Sequence, residues 1–169
     1  MKFTINWVLP LITVLSLGLF AHGEPNSEVM PESAADCPVS HESCEFYRCM
    51  SKQQPCGKKG YWKGFGIPYC ELFVKDEHKF SQDSQIWLQE VRFCLQVRLR
   101  ETADGLRCAQ IKQKAIQDHV SCYVDTGFCQ LSFPEQFKIM WYLKGALRDI
   151  NTWREADLLR RACQRPYLP

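Results

Sequence analysis

The sequence predicts an all-α fold, a disulfide-stapled helical bundle whose N-terminal part is rich in cysteine. From Ser81 onward, apolar residues recur at the i, i+3, i+4 spacing of a buried helix face. The ten cysteines form an even set and all follow an apolar leader, which is typical of a disulfide framework made in an oxidising compartment. Strand signals are weak, so we expect helices held together by bridges.

Residues 1–23 have the pattern of a secretory signal peptide. Lys2 precedes an apolar run at 7–20, and small residues at positions 21 and 23 suit cleavage after Gly23. The run has 14 residues, which at ~1.5 Å per residue is too short to span about 30 Å of hydrocarbon. We therefore expect a secreted, extracellular protein with no stable insertion in a membrane.

The chain after this leader divides into a tail and one domain. Residues 24–36 are rich in Pro, Glu, Ser and Ala and predict a flexible tail. Residues 37–169 hold all ten cysteines and predict one disulfide-rich helical domain. Without Lys2, which lies in the leader, the 21 basic residues become 20, against 19 acidic residues. This near-neutral net charge gives no indication of a nucleic-acid partner.

The first two long helices are predicted to form a hairpin. One is capped by Ser81 or Ser84 and stops at Gly105, and the other covers about residues 108–122. Apolar residues on several sides of the first helix predict that most of its surface is buried. They are Trp87, Leu88, Val91, Cys94, Leu95 and Leu99, with Ile86, Phe93 and Val97 on a second side; the next helix has Ile111, Ala115, Ile116 and Val120.

Two further helices follow in the sequence. Ser132 and Glu135 have capping-box spacing with Pro134 in the first turn, and Thr152 and Glu155 repeat that spacing before a last helix to about residue 163. The apolar faces here are broad enough that one chain can leave part of them uncovered, which allows a non-covalent dimer. The apolar residues of the third helix are Phe137, Met140, Trp141, Ala146, Leu147 and Ile150.

Helix geometry constrains how the cysteines pair. Cys108 and Cys122 lie on one predicted helix, about 21 Å apart along its axis, whereas a disulfide needs Cα atoms within about 7 Å. They cannot pair with each other. Cys94 and Cys122 are equally far from residue 108, so an antiparallel hairpin brings them level. Cys108 then has to reach the N-terminal region, and a bond from Cys129 to Cys163 would close the last hairpin.

The segment from Gly57 to Tyr69 is a candidate partner-binding loop. It joins four glycines with aromatic and basic side chains, a composition typical of hot spots that would bind an acidic receptor patch or a sulfated glycan. The other interpretation is that Trp62 and Phe65 fold inward over a small core. The candidate contact residues are Lys58, Lys59, Tyr61, Trp62, Lys63, Phe65 and Tyr69.

The sequence predicts neither an enzyme nor a cofactor or metal site. Asp118 precedes His119, the reverse of the order in secreted phospholipases, whose chemistry needs a His base, an Asp partner and Ca²⁺. No C-x-x-C pair suggests zinc, and the run Asp76-Glu77-His78 lacks the oxygen-rich loop that calcium requires.

Several cysteines have characteristic spacings and neighbours. The features are Cys44-Glu45-Phe46-Tyr47-Arg48-Cys49 with its four-residue gap, Cys70-Glu71-Leu72-Phe73 followed by Phe80, Gln85 and Cys94, the 13-residue gap from Cys108 to Cys122, and Cys122-Tyr123 before Cys129. Over Cys37 to Cys163, this ordered set resembles the stanniocalcins, secreted vertebrate hormones with relatives among invertebrates.

The resemblance implies both a function and a disulfide pairing. The function is that of a secreted hormone-like signalling protein, acting in calcium and phosphate balance by binding an extracellular protein receptor or a glycan. The alternative is a secreted effector or venom-type toxin on the same scaffold, with activity in the enlarged 57–69 loop. The implied pairs are Cys37–Cys49, Cys44–Cys70, Cys56–Cys108, Cys94–Cys122 and Cys129–Cys163.

The sequence departs from the family pattern in three places. Stanniocalcins carry an eleventh cysteine that links two chains, but none follows Cys163, so no disulfide-linked dimer is expected. The segment from Cys49 to Cys56 has no Asn where the family has its N-glycosylation signal. The 57–69 loop is also longer than its counterpart in the family.

Overall fold

The computed structural model describes residues 33–148 and 150–164, and these residues are helical with no strand. This confirms the predicted all-α, disulfide-stapled fold. Short 3-10 turns and a π-turn at Trp62–Gly66 connect the α-helices. No helix in this part of the chain is long and apolar enough to cross a membrane. The α-helices are α1 (Glu45–Gln53), α2 (Ile67–Asp76), α3 (Gln82–Thr102), α4 (Cys108–Asp125), α5 (Phe133–Tyr142) and α6 (Ile150–Gln164).

The predicted signal peptide and most of the predicted tail lie outside the described residues. The prediction of a flexible tail is wrong for residues 33–36, which form a capped 3-10 turn. Ala34 is fully buried, and its N–H donates to the Asp104 carboxylate at 2.8 Å. The Gln53 side-chain amide donates to the carbonyl of Ser33 at 2.8 Å. These partners fix the turn, although its composition suggested little to bury.

α3 and α4 form the predicted antiparallel hairpin. Ser81 caps α3 by accepting a hydrogen bond from the Ser84 N–H, and Gly105 makes the turn with a φ of 75°. That backbone conformation favours glycine because it has no Cβ. The Cys94–Cys122 bridge crosses the hairpin with its Cα atoms 5.8 Å apart, as the hairpin geometry predicts.

Two buried clusters fill the bundle. The first lies around α1 and the turn end of the hairpin, and includes Phe46 and Leu99. The second lies where α3 and α4 meet α5 and α6, and includes Trp87, Ile139 and Leu159. The helix α3 is therefore buried on only part of its surface. Ile86, which the apolar pattern predicts to face inward, is 54% exposed.

The segment predicted as a loop at 57–69 is helical in its second half. The π-turn begins at Trp62 and passes into α2 at Ile67. Gly66 lies against α1, and a Cβ there would be 2.7 Å from Cδ1 of Tyr47. The close approach of the π-turn to α1 therefore requires glycine at this position.

The predicted starts of α5 and α6 need correction. Ser132 is the N-cap of α5, but its side chain makes no capping hydrogen bond. Glu135 turns to α3 instead, where it accepts from the Ser81 N–H at 3.2 Å. α6 begins at Ile150, so Thr152 lies inside the helix rather than at its cap. At the start of α5, a tertiary contact therefore replaces the local capping box.

All ten cysteines are paired, and none is free. Two bridges lie within the N-terminal subregion, and a third joins it to the start of α4. The fourth crosses the α3–α4 hairpin, and the fifth ties the segment before α5 to the end of α6. The pairs are Cys37–Cys49, Cys44–Cys70, Cys56–Cys108, Cys94–Cys122 and Cys129–Cys163, the five that the resemblance implies.

Candidate functional site

The candidate contact residues at 57–69 do not form one exposed surface. Tyr61 and Trp62 are buried in the first cluster, with their ring centroids 5.4 Å apart. Phe65 and Tyr69 are half-buried, and their rings stack at 6.3 Å. The hypothesis of an exposed aromatic hot spot that includes Tyr61 and Trp62 is therefore corrected, because both rings turn inward and form part of the first cluster. The remaining candidates, Lys58, Lys59 and Lys63, are exposed.

An exposed row of aromatic side chains lies on α5 instead. Phe133, Phe137 and Trp141 are spaced four residues apart, which places them on one helix face. Their exposed fractions are 78%, 61% and 56%, and the rings of Phe137 and Trp141 stack with centroids 6.4 Å apart. We call these three residues the aromatic row. Exposed apolar patches of this kind mark interaction sites more often than isolated apolar side chains do.

Contacts on the side of α5 opposite the aromatic row fix this helix to the rest of the bundle. Ile139, on the opposite side of the helix, is fully buried. The Glu135 carboxylate accepts a hydrogen bond from the Ser81 N–H at the start of α3. Burial alone would raise the pKa of Glu135, but its polar contacts with Ser84 and Ser81 hold the pKa below its ordinary value. The Cys129–Cys163 bridge ties the segment before α5 to the end of α6. The row is therefore displayed on a rigid helix.

Two lysines lie next to the aromatic row, one over the Trp141 ring and one adjacent to Phe137 in the chain. The Lys144 ammonium lies 4.2 Å from the centre of the Trp141 ring, a cation–π contact at the end of the row. Lys138 lies over the Phe80 ring at 4.8 Å and donates to the carbonyl of Lys79. The acidic residue of α5, Glu135, is occupied by its contacts with α3. The local surface therefore combines exposed aromatic area with basic groups.

Only part of this surface is predictable from the sequence. The helical spacing of Phe137 and Trp141 predicts a broad apolar face. Their outward direction depends on Ile139 and Tyr142 occupying the inward side, with Tyr142 packed 5.0 Å from Phe80. Phe133 was not singled out, although its four-residue spacing to Phe137 was a readable signal.

A cavity of about 120 Å³ lies between the two buried clusters. Its inner wall contains the buried side chains of Tyr47, Tyr61, Trp87 and Tyr123. Half-buried residues, including Phe65, Tyr69, Ile116 and Met140, complete its lining toward the surface. The cavity thus has mainly apolar and aromatic walls, with a few polar atoms at its inner end.

The tyrosine hydroxyls at the cavity are held in their neutral form. The rings of Tyr47 and Tyr61 meet edge to face, with their centroids 6.3 Å apart. Burial raises the pKa of Tyr47, Tyr61 and Tyr123 well above the ordinary value, and the nearby Glu155 carboxylate raises the pKa of the last two further. The indole N–H of Trp87 is buried without a hydrogen-bond partner in the described part of the chain.

Charged side chains near the cavity are paired. Arg92 is 5% exposed; it lies 2.7 Å from Glu77 and also donates to the His41 carbonyl. His119 Nδ1 lies 2.9 Å from Glu155 Oε1, which joins α4 to α6. His119 is therefore a partnered helix residue, and Asp118 contacts Lys114 rather than His119. No group of three His, Cys, Asp or Glu side chains that could hold a metal ion occurs in residues 33–148 and 150–164.

Comparison with protein-family models, with curated proteins and with solved structures finds no match to this chain.

Proposed function

We propose that this chain is a secreted, hormone-like signalling protein of the stanniocalcin type, which acts by binding an extracellular protein through the aromatic row. The observation that carries the proposal is the row itself: three large aromatic side chains, more than half exposed, on a helix whose preceding segment is tied to the end of α6 by a disulfide. Aromatic side chains on a rigid support are typical binding hot spots because little side-chain entropy is lost on contact.

The disulfide framework supports the family part of the proposal. Its five pairs are those that the stanniocalcin resemblance implies, including the long-range bridge from Cys56 to Cys108. A dense set of disulfides also fits an extracellular protein, since such bonds persist in oxidising compartments. The resemblance implies a role in calcium and phosphate balance, and the proposed receptor contact is the step that such a role requires.

The charges around the row favour a receptor over a second copy of the chain. Lys138 and Lys144 flank the aromatic side chains, while the acidic group of α5 is engaged with α3. Two copies facing each other through this surface would bring like charges together, which costs binding energy. A receptor with an apolar pocket and an acidic rim would satisfy both the rings and the lysines.

The proposal can be tested by surface binding and ion transport on an epithelial monolayer. The purified, oxidised protein should bind saturably and change the uptake of phosphate or calcium. The double variant Phe137→Gln and Trp141→Gln should bind at least about thirtyfold more weakly, since the loss of even one hot-spot side chain costs about 2 kcal/mol or more. The matched control is Ile86→Gln, which removes an apolar side chain of similar exposure, 54%, from α3.

Three results would count against this function. One is the absence of saturable binding by the unmodified protein, and another is equal loss of binding in the double variant and the Ile86→Gln control. The third is sedimentation as a dimer that the double variant abolishes, because the row would then cover a second copy of the chain instead of a receptor.

A further inference from the structure

The disulfide between Cys56 and Cys108 joins two segments of the chain that carry basic residues and no acidic ones. Segment 51–70 holds four lysines, and segment 105–117 holds one arginine and two lysines. The Cα atoms of the two cysteines lie 5.5 Å apart, so positive charges of both segments meet at the turn end of the α3–α4 hairpin. The exposed ones form what we call the basic surface, namely Lys52, Lys58, Lys59, Lys63 and Arg107.

We propose that the basic surface binds a sulfated glycan chain. The juxtaposition that carries the proposal is the exposure of five basic side chains around a disulfide that fixes two acid-free segments to each other. Clustered charge of one sign raises the local concentration of an oppositely charged partner and speeds its binding. The inference concerns a different surface from the aromatic row and does not depend on the proposed function.

Further contacts hold the two segments side by side. The Gln54 side-chain amide donates to the Leu106 carbonyl, two residues before the bridge on each segment. Beyond the bridge, the Lys112 ammonium lies 4.8 Å from the centre of the Phe65 ring. Because these contacts lie on both sides of the bridge, segment 105–117 runs beside segment 51–70 instead of touching it only at the disulfide.

A hydrogen-bonded turn holds the lysines of segment 51–70 in place. The Gly60 N–H donates to the Gly57 carbonyl at 3.2 Å, and the Gly64 N–H donates to the Gly60 carbonyl at 2.8 Å. The second bond spans four residues, as in a helix. Lys59 and Lys63 are also four residues apart, which places them on the same side of this turn. The turn therefore fixes the backbone under these charges, which lowers the entropy lost when a partner binds.

The acidic residues that border the two segments are engaged in other contacts. Glu71 lies 2.6 Å from Arg48, and Asp118 contacts Lys114. The Asp104 carboxylate accepts a hydrogen bond from the N-terminal turn at 2.8 Å. No residue of the basic surface forms an ion pair with the described part of the chain. Its five charges are therefore available to an external anion.

The composition of the basic surface favours a sulfated glycan over a protein. Protein interfaces have an apolar or aromatic centre with charges at the rim. Among the described residues, no large apolar side chain is exposed in segments 51–70 and 105–117, where Tyr61 and Trp62 are buried. Sulfated glycans are polar chains with closely spaced anionic groups, which accept charge-assisted hydrogen bonds from lysine and arginine. They are also extracellular, which agrees with the dense set of disulfides.

The test is binding of the oxidised protein to immobilised heparin over a range of sodium chloride concentrations. The protein should bind saturably and lose affinity steeply as salt rises, because a bound polyanion releases its counterions. For DNA, each contact contributes about −0.9 to the slope of log affinity against log salt, so five contacts predict a slope of about −4 to −5. Hyaluronan, which carries carboxylates but no sulfate, should bind at least about tenfold more weakly because its charge density is lower.

Variants of both segments locate the site. The triple variant Lys58→Gln, Lys59→Gln and Lys63→Gln should bind heparin at least about tenfold more weakly and have a slope shallower by about three. Arg107→Gln should make the slope shallower by about one, which tests the contribution of segment 105–117.

The matched control removes three positive charges from exposed positions on α2, α3 and α6, namely Lys75→Gln, Arg98→Gln and Arg160→Gln. It should change heparin binding by less than about twofold, since charges more than about 8 Å from the glycan are screened at physiological salt. The proposal is overturned if heparin does not bind saturably, or if hyaluronan or single-stranded DNA binds as tightly as heparin. It is also overturned if both triple variants lose binding alike, or if Arg107→Gln leaves the slope unchanged.

Discussion

Gln96 and Ser40 exchange two hydrogen bonds across 56 residues of sequence. The Ser40 N–H donates to the side-chain oxygen of Gln96 at 3.1 Å, and the Gln96 amide nitrogen donates back to the Ser40 carbonyl at 3.0 Å. The same nitrogen donates to the carbonyl of Ser43 at 3.1 Å. Gln96 is fully buried on α3, so one side chain replaces the backbone partners that this N-terminal turn would otherwise lack.

Replacing Gln96 by Leu should lower the free energy of unfolding by about 2–4 kcal/mol. The side chain keeps a similar size, but three backbone groups of Ser40 and Ser43 lose their partners. A fully buried unsatisfied group costs about 1–3 kcal/mol, and the expected total is at the low end of three such costs because Ser40 and Ser43 are only half-buried, so water reaches part of them. Chemical denaturation with the disulfides intact measures the change. Gln113→Leu is the control, because Gln113 is exposed on α4. A loss below about 0.5 kcal/mol for Gln96→Leu would mean that water replaces these contacts.

Long-range contacts were predictable from the sequence where the geometry of a helical hairpin alone determines them. The periodic apolar residues and Gly105 predicted the α3–α4 hairpin, and the hairpin brought Cys94 level with Cys122. The partners of Gln96 were not predictable, because a polar residue within a helical pattern looks the same whether it is solvated or buried. The contact of Glu135 with α3 was not predictable for a related reason, because the same carboxylate can either complete a local capping box or accept a hydrogen bond from Ser81.

The candidate site was less predictable than the fold. Composition identified an aromatic-basic segment at 57–69 but could not show which rings turn inward. Trp62 is buried because Gly66 lets the π-turn approach α1 closely. The number of glycines in the segment does not predict this contact. The aromatic row was within reach, since the spacing of Phe137 and Trp141 was recognised, but its exposure follows from the packing of Ile139.

The denatured, unreduced protein should contain essentially no reactive thiol. The reason is that all ten cysteines are paired. Proteolytic mapping under conditions that prevent exchange should recover one peptide pair that joins Cys94 to Cys122. On a non-reducing gel the protein should migrate as one chain. One or more thiols per chain, or a reducible band at twice the mass, would contradict this prediction.

Alkaline pH should destabilise the protein through its buried tyrosines. Burial raises the pKa of Tyr47, Tyr61 and Tyr123 in the folded state, whereas unfolded tyrosines ionise near pH 10. The unfolded chain then binds fewer protons than the folded chain, so this contribution to stability is complete below about pH 10 and is lost as pH rises further.

Ultraviolet difference spectroscopy can follow tyrosine ionisation alongside denaturant unfolding. Three of the six tyrosines should resist ionisation until the chain unfolds. Tyr123→Phe should weaken the fall of stability above pH 10, because it removes one of the three linked groups. Ionisation of all six tyrosines near pH 10 while the chain stays folded would contradict this prediction.

Arg92→Leu should lower the free energy of unfolding by about 3–5 kcal/mol, because it leaves the half-buried Glu77 carboxylate without its main partner. Arg98→Leu on the same helix is the control, since Arg98 is 47% exposed and lies 4.0 Å from Asp125. Exposed pairs of this kind contribute about 0–1 kcal/mol. Thermal or denaturant unfolding of both variants measures the difference, and equal losses would show that the Arg92 contact is as weak as a surface pair.

The central claim is that the aromatic row contacts an extracellular receptor, and site-specific photo-crosslinking on living cells tests it most directly. A photoreactive amino acid would replace Phe137 in one sample and Ile86 in a control sample, since both side chains are more than half exposed. The account predicts one crosslinked receptor species from position 137, displaced by excess unmodified protein, and none from position 86. No displaceable product from position 137, or the same product from both positions, would contradict it.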